Sequence, residues 1–203
     1  MTLDGLHPVI AAASRGELPG WARMGEERRA HSSRVATLLG TWSEALGMPR
    51  EDRARWAAAG WLHDCLKDGD AGELRGLVGA GLDGVPERIL HGPAAAARLA
   101  MEGVGDRELL DAVAWHTLGH PRLGRMGMAV YCADFLEPGR DLHNPWRDGL
   151  RERMPDDLRD VTRDILRARI EHLLSETRPV RPETMGFWNR LAGGEAWARA
   201  SEV

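Results

Sequence analysis

Apolar residues recur along this chain at intervals of three and four, the spacing of one face of an α-helix. Val35, Leu38, Leu39, Trp42 and Leu46 mark a helix from Glu26 to Leu46. Leu158, Val161, Ile165, Ile170 and Leu173 form an imperfect stripe on another, from Pro155 to Ser175. Glycine and proline punctuate the rest at helix-length intervals. They predict helices from Pro8 to Ser14, Arg50 to Leu66, Ala71 to Val78, Glu87 to Met101, Arg107 to Thr117, Leu123 to Leu136 and Pro182 to Leu191. No run alternates with period two among β-branched and aromatic residues, so no sheet is needed. The expected fold is all-α, a helical bundle. Residues 1–23 read as an N-terminal appendage, 24–192 as one domain and 193–203 as a tail.

Composition narrows this picture without changing it. A chain of 203 residues, 43% hydrophobic, can bury a core without disulfide staples. A net charge of −4 offers no broad basic field for nucleic acid or an anionic membrane, so neither partner is expected. No apolar stretch has the length of a membrane span. Met1-Thr2-Leu3-Asp4-Gly5 has none of the charged-then-apolar pattern of a signal peptide. Two cysteines, Cys65 and Cys132, make no disulfide framework and fit a reducing cytoplasm. Self-association into a homo-oligomer stays open.

The candidate chemistry centres on His63-Asp64, inside Trp61-Leu62-His63-Asp64-Cys65. Neighbours on a helix lie about 100° apart, so one buried face holds both only near the bundle axis or at a helix end. His31 lies upstream, four residues before Val35 and on the same face. His91 precedes Gly92-Pro93, His116 follows Trp115, and Asp134 ends an apolar helix. Imidazoles and carboxylates together suit iron, manganese, zinc or nickel. Six donors exceed what one catalytic metal with an open position needs. They divide between two metals if Asp64 bridges, with His31, His63 and Asp134 on one ion and His91 and His116 on the other. Solvent held between the ions would serve as the nucleophile. Taken singly, each histidine is more often an ordinary core or surface group, and the ordered set carries the inference. His7, His143 and His172 read as surface residues.

Lys67 is the sole lysine among 27 basic residues, three positions after Asp64. A compact ammonium there suits phosphate. Lys67 and Arg140 are the candidates for neutralising charge on a reacting phosphate, and Arg125 and the loop residue His120 are further substrate contacts. Glu137 and Asp68 are candidate partners for the outer ring nitrogens of ligand histidines. Of the eight tryptophans, Trp146, placed in a loop, is the one left for stacking on a base.

Several motifs together resemble a known family. They are Arg28-Arg29-Ala30-His31, Leu62-His63-Asp64-Cys65-Leu66-Lys67, Leu90-His91-Gly92-Pro93, Trp115-His116-Thr117-Leu118-Gly119 and Ala133-Asp134-Phe135-Leu136-Glu137-Pro138-Gly139-Arg140-Asp141. Pro179-Val180-Arg181-Pro182-Glu183-Thr184 with Asn189 completes the set. The chain resembles the HD superfamily of metal-dependent phosphohydrolases, and within it the YqeK branch of bacterial symmetrical diadenosine tetraphosphate hydrolases. The resemblance spans Arg28 to Asn189. It implies an all-α HD-domain bundle, two metal ions with iron typical, and cleavage of diadenosine tetraphosphate to two ADP. It places the metal ligands at His31, His63, Asp64, His91, His116 and Asp134. Arg181 departs from the family, which commonly has histidine there, as do the long N-terminal segment and the loop Leu142-His143-Asn144-Pro145-Trp146.

Two other functions share such a donor set. A mixed-valence di-iron oxygenase of the HD type is disfavoured by the motifs after Asp134. A non-catalytic nucleotide-binding HD protein is disfavoured by the intact donors. A cyclic-di-GMP phosphodiesterase would need a Gly-Tyr-Pro motif, which is lacking.

Overall fold

Helices α1 (Pro8–Ala13), α2 (Glu26–Ala45), α3 (Arg50–Leu62), α4 (Ala71–Val78) and α5 (Glu87–Met101) build the first half of the chain. α6 (Arg107–Trp115), α7 (Arg125–Leu136), α8 (Pro145–Glu152), α9 (Leu158–Ser175) and α10 (Pro182–Ala200) build the second. The computed structural model describes residues 5–82, 85–139 and 144–200, with 80, 81 and 194–200 as backbone only. Among the described residues there is no strand, so the all-α expectation holds. No helix there is long and apolar enough to cross a membrane.

The starts of several helices are fixed by short polar side chains that accept from otherwise unpaired N–H groups. The Asp70 carboxylate accepts from Glu73 N at 3.0 Å to start α4. Asp106 does the same for α6 through Leu109 N at 3.1 Å. Asn144 accepts from Arg147 N at 3.3 Å, and Pro145 follows at the first position of α8, where its missing N–H costs nothing.

α7 is the axis of the bundle. Met126, Ala129, Val130, Cys132, Ala133 and Leu136 are all buried, on every side of the helix. It packs against α2, α3, α6, α8 and α9, as an all-round apolar helix must. α2 presents His31, Val35, Leu39 and Trp42 to this core, and α9 presents Leu158, Val161, Ile165 and Leu166. Each such aliphatic side chain stabilises the fold by roughly 1.5–3 kcal/mol. The N-terminal segment belongs to the same core, since Ile10 and Ala13 are buried where α1 meets α3.

Two glycines set how closely the helices approach. A Cβ on Gly60 would lie 2.7 Å from the Cα of Ala36, so only glycine lets α3 touch the backbone of α2. A Cβ on Gly92 would lie 2.8 Å from Val113 O and 3.2 Å from the His116 ring. That position brings the start of α5 against the end of α6.

The structure departs from the sequence expectations at element ends. α3 stops at Leu62 rather than Leu66. Residues 63–69 form tight turns, closed by Cys65 N to Leu62 O at 3.2 Å and Lys67 N to Asp64 O at 2.9 Å. Arg23 captures this segment from outside: Arg23 N donates to Cys65 O at 2.7 Å and Arg23 O accepts from Asp68 N at 3.0 Å. Tertiary backbone bonds thus replace the helical ladder. α8 occupies part of the span read as a loop, and it buries only Leu150, so it has no apolar stripe to reveal it. Trp146 therefore sits in the first turn of a helix, 45% exposed, with its ring edge-on to Phe135. α9 starts at Leu158, and α10 runs past Leu191 to Ala200.

Candidate metal centre

The six donors singled out in the sequence meet in one buried cluster. His31 comes from the second turn of α2, and His91 from the start of α5. His63 caps the end of α3 with Asp64 in the turn after it, His116 caps α6, and Asp134 lies near the end of α7. All six are at most 6% exposed. Placing the doublet where α3 ends resolves the angular problem of adjacent donors, because the chain leaves the helix between them.

Each histidine turns its Nε2 inward. His31 Nε2 lies 3.3 Å from His63 Nε2 and 3.1 Å from Asp134 Oδ1. His91 Nε2 lies 3.1 Å from His116 Nε2. Asp64 stands between the two pairs. Its Oδ1 is 3.0 Å from His91 Nε2 and 3.4 Å from His116 Nε2. Its Oδ2 is 3.7 Å from His63 Nε2 and 3.9 Å from His31 Nε2. One carboxylate oxygen faces each pair.

The outward nitrogens fix the tautomers. His63 Nδ1 donates to Gly60 O at 2.7 Å, His91 Nδ1 to Arg88 O at 3.0 Å and His116 Nδ1 to Val113 O at 2.8 Å. A carbonyl only accepts, so these Nδ1 atoms carry the proton and their Nε2 lone pairs point into the cluster. His31 Nδ1 faces the Glu137 carboxylate at 3.2 Å instead. Lone pairs and carboxylate oxygens gathered at about 3 Å repel one another unless cations lie among them. The donor set therefore fits divalent metal ions, with the second ring nitrogens anchored as ligating imidazoles require.

Burial supports the same protonation states. It pushes His63 down to about 4, so the ring is neutral near pH 7 and available to a metal. Burial also lowers His91, against the opposing pull of Asp64. The neighbouring Cys65 thiol is raised by burial and the Asp64 charge, which keeps it protonated.

Cationic and hydroxyl groups ring the cluster. Lys67 Nζ lies 3.3 Å from His91 Nε2, and Thr117 Oγ1 3.0 Å from His116 Nε2. Arg28 Nη1 lies 3.2 Å from Asp64 Oδ2. Arg169 on α9 places Nη2 3.8 Å from Asp134 Oδ2 and donates through Nη1 to Thr117 O at 3.1 Å. Arg34 pairs with Glu137, which also accepts from Gly139 N at 2.7 Å. A cleft of about 350 Å³ opens beside Lys67, lined by Arg88, Thr117, Arg169, Arg178 and Arg181. Its apolar wall is Ile89, Leu118 and Leu173.

The remaining sequence candidates fall in different places. Arg125 is exposed in the first turn of α7, nine residues and about 13 Å along the helix from Asp134. His120 stacks on Trp115, with ring centroids 4.6 Å apart, and accepts from Arg122 N. Neither lines the cleft beside Lys67. Arg140 and His143 lie outside the described residues. Asp68 does not hold a ligand histidine: its carboxylate accepts from Gly25 N at 2.7 Å and ties down the start of α2. Glu137 does face one. His172 is exposed, as expected of a surface residue, yet it lies at the cleft. Sequence reasoning missed Arg28, Arg88, Thr117, Arg169 and Arg178. Three of them carried a signal, since Arg28 and Arg88 lie one turn before His31 and His91 and Thr117 adjoins His116. Arg169 and Arg178 reach the cleft only through the packing of α9 and the turn after it.

Comparison with known proteins agrees with this centre. The HD domain family model matches residues 28–173. A symmetrical bis(5'-nucleosyl)-tetraphosphatase of Staphylococcus aureus is 33% identical over 64% of this chain and 68% of its own. The Bacillus subtilis protein of the same name is 28% identical over 83% of this chain and 91% of its own. A solved Clostridium acetobutylicum structure, described as a predicted HD superfamily hydrolase involved in NAD metabolism, superposes with a TM-score of 0.73. It covers 91% of this chain and 95% of its own at 23% identity, and so speaks for the fold. The matched span takes in all six buried donors, and the chain belongs to the HD domain family.

Proposed function

We propose that this protein is a metal-dependent phosphohydrolase that cuts diadenosine tetraphosphate at its central bond, giving two ADP. The observation that carries this reading is Asp64, whose two oxygens face two separate histidine pairs beside a cleft rich in cations. The names of the Staphylococcus and Bacillus relatives support a bis(5'-nucleosyl) tetraphosphate cut symmetrically, and adenosine is the nucleoside this reading assigns. His31, His63, Asp64 and Asp134 would hold one ion, and Asp64, His91 and His116 the second. Bound there, divalent metal supplies Lewis-acid charge and lowers the pKa of water. Iron is the metal this reading assigns, with manganese able to replace it.

The chain's own groups do the rest. Lys67 and Arg140 neutralise charge that builds on the reacting phosphate, which is where phosphoryl transfer is mostly helped. Thr117 orients a phosphate oxygen beside His116. Arg169 is held by Tyr131 and Phe135, at 4.6 and 5.5 Å from their rings, so it presents a fixed charge to Asp134 and to the cleft. The apolar wall of Ile89, Leu118 and Leu173 accepts a nucleoside. Two buried free thiols fit a reducing compartment, and we place the protein in the cytoplasm. The test is direct. Purified protein loaded with iron or manganese releases ADP from diadenosine tetraphosphate. Metal-replete protein that turns over no nucleotide polyphosphate would refute the reading.

A further inference from the structure

The centre has a second opening. It measures about 570 Å³ and is lined by Glu27, Arg28, Ala30, His31, Arg34 and Glu137. It shares no lining residue with the cleft beside Lys67. The two differ in kind. Among the described residues, the cleft is lined by five cationic side chains, no carboxylate and an apolar wall. The second opening balances Arg28 and Arg34 against Glu27 and Glu137, and its largest apolar side chain is that of Ala30. Among its described lining residues there is nothing to stack on or enclose a base. It does offer phosphate donors: the Arg28 side chain is about a third exposed, with Nη1 resting on Asp64 Oδ2 next to the centre, and Arg34 lines the same opening.

We infer that the two openings divide the substrate unequally: the cleft beside Lys67 grips one nucleoside diphosphate half, and the Arg28 opening grips only the phosphates of the other. The second nucleoside is not required, and the protein also hydrolyses adenosine 5'-tetraphosphate at the same bond. Water adds across the central P–O–P linkage. Its oxygen joins one central phosphorus, the bridging oxygen leaves on the other, and one proton passes to solvent. The products are ADP and pyrophosphate. This inference rests on the phosphohydrolase reading above.

Two measurements test it. The first compares adenosine tetraphosphate with diadenosine tetraphosphate on metal-loaded protein, with products identified. The expected kcat/KM values agree within about tenfold, because little binding energy is lost with the second nucleoside, and pyrophosphate appears with ADP. A loss beyond about tenfold while diadenosine tetraphosphate is cleaved normally overturns the inference and leaves the function intact. Release of ATP and inorganic phosphate overturns it as well. Cleavage of neither compound refutes the function itself. The second measurement then still decides the division of the two openings, by calorimetric titration of ADP. One tight site per chain is expected, retained in Arg28→Gln and weakened at least tenfold, about 1.4 kcal/mol, in Arg178→Ala. Two equivalent sites, or a tight site lost in Arg28→Gln and kept in Arg178→Ala, contradict it.

Discussion

His31 and the other three buried imidazoles do the same job by different means. His63, His91 and His116 each donate Nδ1 to a carbonyl three residues earlier in their own chain segment. His31 is held by Glu137, 106 residues away, which is itself clamped by Arg34 and Gly139 N. Position accounts for part of the difference. For His63 and His116, which cap helices, the carbonyl used lies in the last turn, where helical N–H partners run out. His91 lies inside α5 and still turns back on its own segment, to Arg88 O. His31, inside α2, is held by a remote carboxylate instead. Three ligands are therefore locally built and rigid, while the fourth depends on tertiary packing.

Asp64→Ala removes the carboxylate common to both sides and gives the largest effect. Metal content measured on purified protein falls to background and activity vanishes, as it does when a chelator strips the wild type. Retention of two ions in Asp64→Ala would break the bridging account. Lys67→Ala acts on the phosphate instead. It keeps the metal and lowers kcat by about 10²–10³-fold, the loss typical of one charge-stabilising donor. Unchanged kinetics in that variant would remove Lys67 from the mechanism.

Glu137→Gln tests the His31 side alone. The amide removes the charge behind one imidazole and leaves three untouched. Metal affinity drops by about 10–100-fold, confined to one ion, and calorimetry resolves it as one weakened and one normal site. Equal weakening of both sites would mean that Glu137 acts through the fold.

The smallest effect on activity lies away from the centre. Arg55 binds Asp106 through two nitrogens, at 2.6 and 2.9 Å, and Asp106 also caps α6. Asp106→Ala costs about 1–2 kcal/mol of stability and leaves kcat unchanged. Burial would raise the Asp106 carboxyl, but bonding to Arg55 outweighs it, and the folded pKa lies below the ordinary value. A depressed carboxylate stabilises the fold above its unfolded pKa of about 3.9. That stability is lost as pH falls through the folded value. Denaturant unfolding of the pair at several pH values should show the gap between wild type and variant closing only in acid.

Much of this architecture is legible in the sequence because helix ends are chemically marked. Asp70, Asp106 and Pro182 announce boundaries, and His63, Asp64 and His116 lie at helix ends. Donor count calls for a shared carboxylate without saying which, and the structure turns one Asp64 oxygen toward each histidine pair. What was hidden depends on distance along the chain. Arg169 reaches the site because α9 packs on α7, and nothing near it in sequence points there. The early end of α3 needs Arg23, and α8 is too polar to show a stripe. Arg125 shares a helix with Asp134, but the length of α7 separates them.

The most direct test of the central claim is the nucleotide product formed from diadenosine tetraphosphate by metal-loaded protein. The account predicts ADP alone, two per substrate consumed, and none from Asp64→Ala. ATP with AMP, or an intact substrate in the presence of a fully metallated site, would contradict it.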